Sequence, residues 1–269
     1  MGKKRYNEED GLKSCFWYIN RRMGMCSMKK MLALLENDLR RFYHYRILQI
    51  VGVISFLFAA ILAFFPDFNA SNIFYVTVFI LPVIVFSFSL KADIVEGHVL
   101  PCDKPECDPK LLLISKILSA LLLQLVPIIM YILVLELYLK IDIAYVSLFF
   151  AYILSATLHI IIGLSLSIIS KTDKILSFNY IVYILVFCTG PIFLSNGLIP
   201  IRFQYYLLFS PAYLSGILID NILSGMYYSP VWLILLSLFL QVAYGVLLSF
   251  FVIKPFFQAY VNQFGREVK

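Results

Sequence analysis

Apolar residues run through the chain in six long blocks, at roughly 47–65, 73–90, 111–139, 143–169, 179–195 and 230–253. A helix needs about 20 residues to cross the hydrocarbon layer of a membrane. The first, second and fifth blocks fall slightly short and are expected to draw in flanking residues. The third is long and holds Pro127, which predicts a kink or a tilt. None alternates apolar and polar residues over ten positions, as an outer-membrane barrel strand does. The pattern therefore predicts an all-α, polytopic membrane protein with six transmembrane helices.

Two further stretches are patterned but do not span. Between Met28 and Arg46, Met31, Leu32, Leu35, Leu39, Phe42 and Tyr43 recur every three or four residues. Lys29, Lys30, Asn37, Arg40, Arg41 and His44 take the other side. That periodicity predicts a two-faced helix lying in the membrane interface. The region 196–229 is apolar but interrupted by Gly197, Pro200, Pro211, Gly216 and Gly225, and it contains Arg202 and Asp220. It reads as short broken helices resting on or dipping into the outer leaflet, with a cover of protein over the broken backbone. Residues 1–27 are polar and read either as a cytosolic tail or as the product of an early start codon. The permease-like body is expected over 28–269.

Composition fixes the class and charge fixes the orientation. Apolar and aromatic residues make up 61% of the 269 residues and charged residues 14%, against about 25% charged in soluble domains. With six spans, twenty Lys and Arg fall on one side and two on the other. The positive-inside rule then puts both termini and the loops at 91–110 and 170–178 in the cytoplasm of a multi-pass plasma-membrane protein. The net charge of +6 is this topology signal together with attraction to anionic membrane lipid, and calls for no nucleic acid. Four of the five cysteines fall on the expected cytosolic side, which argues against a disulfide framework.

The search for chemistry returns few candidates. There is no G-x-x-x-x-G-K-[ST], no H-E-x-x-H and no G-x-S-x-G, so no catalytic residue is assigned and the chain is not expected to be an enzyme. His44, His98 and His159 lie in separate segments. Cys102 and Cys107, with His98 and one of Asp103, Glu106 or Asp108, have a spacing zinc can use. Two reduced cysteines in a loop is the preferred reading, and no metal is expected. His159 lies near the middle of the fourth block and is the intramembrane polar candidate. Ser155 and Gly163 flank it at four-residue spacing, which favours a helix-packing role over a transport role. Glu136 and Lys140 are expected to form a solvated i, i+4 pair. The tyrosines at 205, 206, 213, 227 and 228 are expected in an outer aromatic belt.

The order of parts resembles the permease subunit of ABC exporters of the six-helix class. It runs interfacial helix, span, short turn, span, charged loop, span pair, turn, span, broken helices, span. The stretch "EGHVLPCDKPECDPKLLLISKIL" is similar to the first cytosolic loop of drug-export permeases, including the fluoroquinolone-export group. Glu96, Gly97 and Leu100 match its opening, and Pro109, Leu113, Ser115, Lys116 and Leu118 its close. "SKTDKILSF" resembles the second cytosolic turn, with Lys171, Asp173 and Lys174. "LLFSPAYLSGILIDNILSG" is similar to the segment before the last span.

The resemblance implies an N-terminal elbow helix and a coupling loop around Glu96, Gly97, Leu100, Asp103, Glu106, Asp108 and Pro109 that docks on a separate ATPase. Its acids would meet basic residues there. Pro101, Cys102 and Pro105 depart from the pattern and argue against a regular coupling helix across 97–105. It further implies a second permease copy or paralogue. ATP and Mg would be held by the ATPase partner, with no cofactor on this chain. The rival readings are a secondary transporter, which lacks enough buried ionisable groups, and a non-transporting immunity or assembly protein.

Overall fold

The computed structural model describes residues 27–65, 70–95, 109–140, 143–223, 229–256 and 258–259. Six helices are long and apolar enough to cross a membrane: Ile47–Phe64, Ser71–Ala92, Lys110–Tyr138, Tyr145–Ile169, Asp173–Ser195 and Val231–Phe256, hereafter spans 1 to 6. No strand occurs among the described residues. The second and fifth apolar blocks do recruit neighbours, reaching 22 and 23 residues, whereas the first stays at 18.

Span 5 starts earlier than the apolar pattern suggests. The turn expected over 170–178 is only a few residues long. Thr172 is extended, and its hydroxyl accepts from the backbone N–H of Ile175 at 3.4 Å. Asp173 follows in the first helical turn, where a negative charge suits the helix dipole. Lys171, Asp173 and Lys174 are all exposed there.

Spans 2 and 4 form the inner pair, with 61% and 67% of their apolar 18-residue stretch buried. For spans 1, 5 and 6, which are peripheral, that share is 28%, 22% and 17%. Apolar side chains on the outer faces, such as Phe56, Leu185 and Phe239, are exposed, as expected for helices whose surroundings are themselves apolar.

Four spans contain a π-helical turn: Tyr75–Ile80, Val134–Tyr138, Ile184–Cys188 and Ser249–Ile253. Such turns shift the phase of the side chains that follow. The one in span 3 explains a failed expectation. Glu136 and Lys140 form no ion pair, because Glu136 lies inside the π-helical turn and Lys140 sits at φ 55, off the helix. Residues four apart are face neighbours only on a continuous α-helix.

The N-terminal helix, Ser27–His44, carries three arcs rather than two. Leu34, Asp38 and Phe42 are buried against spans 1 and 3. Leu32, Leu39 and Tyr43 are exposed beside them, and Glu36 and Arg40 pair at 2.7 Å on the remaining side. The expected apolar face is thus divided between the bundle and the surroundings. The helix ends in a tight turn with Arg46 at φ 56, and span 1 begins at once.

The 196–229 region turns back into the bundle. Its first half, Ile201–Phe209, is a 3-10 helix, and its second half is the α-helix Pro211–Leu223. Between them Ser210 caps the second helix, accepting from Tyr213 N–H at 3.1 Å and donating to the Phe187 carbonyl of span 5 at 2.5 Å. Pro211 occupies the first helical position, where its missing N–H costs nothing. Tyr244 of span 6 donates to the Phe209 carbonyl at 3.4 Å. Tyr244 is thirteen residues into span 6, about 20 Å along its axis, so the hairpin reaches well below the end of the bundle. Pro211–Leu223 is covered by spans 4 and 6, as broken backbone at membrane depth requires. Of the expected aromatic belt, Tyr205 and Tyr206 are exposed but Tyr213 is buried.

Candidate functional site: a buried polar crosspiece

His159 is 1% exposed, at the middle of span 4. A backbone carbonyl can only accept, so Nδ1–H donates to the Ser155 carbonyl one turn back, at 2.7 Å. Nε2 is then free to accept from the Tyr75 hydroxyl of span 2, at 2.9 Å. The neutral ring is fully satisfied. Phe79 stacks on it with centroids 5.4 Å apart, and the Tyr75 ring meets it edge-on. Tyr75 reaches this position from the π-helical turn of span 2.

The chain of contacts continues on both sides. The Tyr75 hydroxyl lies 3.8 Å from Cys188 Sγ, in the π-helical turn of span 5. Ser155 Oγ donates to Gln241 Oε1 of span 6 at 3.0 Å. Gln241 Nε2 donates to the Leu214 carbonyl of the re-entrant helix at 3.1 Å, and Ser237 Oγ donates to the same carbonyl at 2.6 Å. Four spans and the re-entrant helix are thus tied across the bundle by one line of hydrogen bonds.

A second polar contact lies one turn beyond. Tyr180 Oη and Ser87 Oγ are 2.5 Å apart, and Ser167 donates to the Ser87 carbonyl at 3.1 Å. Gly163 makes this approach possible. A Cβ there would lie 2.5 Å from Val83 Cγ1 and 2.7 Å from Ser87 Oγ, closer than real contacts allow. The small residue lets spans 2, 4 and 5 close together.

What this arrangement does chemically is hold helices. A Cys–Tyr–His row resembles a nucleophile and its base, but Cys188 is 3% exposed and Tyr75 6%. None of the three lines the groove between spans 3, 4 and 6. No group of three or more His, Cys, Asp or Glu able to hold a metal ion occurs among the described residues.

Near the start of span 3 lies a buried ion pair. Lys116 Nζ is 2.5 Å from Asp38 Oδ1, and Ser119 Oγ is 3.4 Å from Asp38 Oδ2. Both charged residues are 4% exposed. The pair fastens the N-terminal helix to span 3, close to the point where the 96–108 segment joins it.

The sequence singled out His159, Ser155 and Gly163, and the structure brings all three onto one buried face of span 4. It did not point to Tyr75, Gln241 or Asp38. A glutamine within an apolar block was the available signal for Gln241. Asp38 lies inside a basic amphipathic helix, and nothing in that local pattern marks it as buried. Glu96, Gly97, Leu100, Asp103, Glu106 and Asp108 lie outside the described residues, as do Cys102, Cys107 and residues 1–26. Pro109 opens the Pro109–Leu133 helix. No protein-family model matches the chain, and no curated protein matches it.

Proposed function

We propose that this chain is the membrane subunit of an ABC exporter, which moves a substrate out of the cell with energy from a separate ATPase. One observation carries the reading: the mechanical position of the N-terminal helix. Asp38 holds it on Lys116, two turns inside the helix that the acidic 96–108 segment enters at Pro109. A partner that grips 96–108 therefore moves span 3 and the N-terminal helix together. The linkage matches the elbow-and-coupling-loop order of the exporters this sequence resembles. The re-entrant hairpin at the opposite end completes that order.

In this reading ATP binds the partner and favours one arrangement of the complex over another. The membrane subunit follows because its coupling loop has different contacts in the two states. The chain itself performs no covalent step. A second copy or a paralogue would complete the pathway, and the exposed apolar faces of spans 1, 5 and 6 suit either that partner or lipid.

The test is co-expression with an ATPase encoded beside this chain. Reversing Asp103, Glu106 and Asp108 to Lys is expected to abolish co-purification and transport-linked ATP hydrolysis, with membrane insertion unchanged. Desolvated ionic contacts at an interface are each worth about 2–5 kcal/mol and rim contacts far less. A triple variant that retains both activities at wild-type level refutes the coupling role. Substrate movement without any ATPase replaces the reading with a secondary transporter. Sidedness is tested separately with a membrane-impermeant thiol reagent. A cysteine at Leu198 should react in intact cells, and one at Lys171 only after the membrane is opened.

A further inference from the structure

Spans 3 and 6 both pack on span 4 but have little contact with each other. Between them runs a groove of about 720 Å³, within the about 300–1,000 Å³ range of small-molecule pockets. Leu158 and Ile161 of span 4 form its floor. Leu113 lines one wall, and Val242, Val246 and Phe250 line the other. It extends from Gln241, in the buried crosspiece, to Lys254. Those thirteen residues measure about 20 Å of helix, close to one leaflet of a bilayer whose whole hydrocarbon core is about 30 Å thick.

The two ends differ in chemistry. The inner end and the walls are apolar, apart from Thr157, Ser249 and the already engaged Gln241. The outer end holds Lys110 and Lys254, both exposed, and none of the described residues lining the groove is a carboxylate. Lys254 Nζ sits 4.5 Å from the centroid of the Phe250 ring, so its ammonium lies directly over the apolar wall. Gly245 supplies part of the width. A Cβ there would meet Ile161 Cδ1 at 3.6 Å, an ordinary contact. Helix packing therefore does not demand this glycine, and glycine within a helix is unfavourable. Its effect is to leave the groove open.

We propose that this groove is a binding site for an anionic phospholipid, with one acyl chain along spans 3, 4 and 6 and the phosphate headgroup on Lys110 and Lys254. The length of one leaflet, the apolar walls and the cationic mouth match the three parts of such a lipid. The site does not depend on the exporter reading, since lipid binding requires neither an ATPase nor transport.

The experiment uses the full chain purified from nanodiscs of equal parts dioleoyl phosphatidylglycerol and dioleoyl phosphatidylcholine. Native mass spectrometry counts the retained lipids. Wild type is expected to retain phosphatidylglycerol preferentially, on the order of tenfold for two lysines at a headgroup. Lys110→Gln with Lys254→Gln should retain both lipids equally, with an unchanged fold by circular dichroism. Gly245→Leu should retain fewer of either lipid, because its side chain occupies the acyl path. Wild type without a headgroup preference overturns the proposal, as does a double variant that keeps it. If Gly245→Leu keeps its lipids and instead loses an oligomeric state that wild type has, the groove is an interface between copies and the lipid site is refuted.

Discussion

The N-terminal helix and the re-entrant hairpin both lie outside the six spans, yet they are held by opposite chemistry. The N-terminal helix is fastened by a buried ion pair, Asp38 to Lys116, beside the buried Leu34 and Phe42. The hairpin is held by neutral hydrogen bonds to backbone carbonyls: Ser210 to Phe187, Tyr244 to Phe209, and Ser237 and Gln241 to Leu214. An ion pair in an apolar setting is strong only while both members are present. A set of neutral bonds degrades step by step. One attachment is suited to an all-or-none change, the other to staying in place.

The largest effect is expected where one member of the ion pair is removed. Asp38→Ala leaves the Lys116 ammonium buried without its carboxylate, a change that costs about 3–5 kcal/mol. The measurement is thermal unfolding in detergent, with hydrogen exchange across Ser27–His44 as the local readout. Both should fall sharply. Replacing the pair together, Asp38→Leu with Lys116→Met, should recover most of the loss, since apolar residues of similar size often substitute for a buried pair. A single variant as stable as wild type would show that the pair does not hold the helix.

The hairpin should respond in smaller steps. Ser237→Ala leaves Gln241 on the Leu214 carbonyl, and Gln241→Leu leaves Ser237. Hydrogen bonds between membrane helices average about 0.6 kcal/mol and reach about 1.7, so each single variant should lose that order of stability. The double variant should lose more than the sum, because the last side-chain donor to Leu214 is then gone. Exchange protection over Pro211–Leu223 distinguishes these outcomes. Strict additivity would mean that the two donors act independently and that the shared carbonyl is incidental.

How far the sequence foretells this division depends on what each bond requires. Hydrophobic blocks are local, so the six spans could be read directly, and so could the break at Pro211. The turn at 170–178 was legible but its shortness was not, because the polar "SKTDK" run hid the helix start that Thr172 caps. His159 stood out because an imidazole in an apolar block is conspicuous. Its partner Tyr75 did not, since one tyrosine among 18 carries no mark of depth. Asp38 and Lys116 are 78 residues apart in the chain. Nothing in either local pattern shows that they meet, and only the packed helices bring them together.

The last and smallest prediction concerns a residue anchored in neither way. Gln124 of span 3 is fully buried, and neither its amide nitrogen nor its carbonyl oxygen has a hydrogen-bond partner. Gln241 of span 6 is also buried but uses both ends of its amide. If partners are what makes a glutamine stabilising here, the two should respond with opposite sign to the same substitution. Gln241→Leu should lose stability as above. Gln124→Leu should gain about 0.5–1 kcal/mol, because an unsatisfied buried amide is replaced by an apolar group of similar size. The gain is limited by partners the amide finds in the unfolded chain within the membrane. The measurement is the same detergent unfolding, run on both variants side by side. A loss of stability in Gln124→Leu would mean that its amide does have a stabilising role, beside the ion pair and the Tyr152 hydroxyl on the Leu121 carbonyl that already hold span 3.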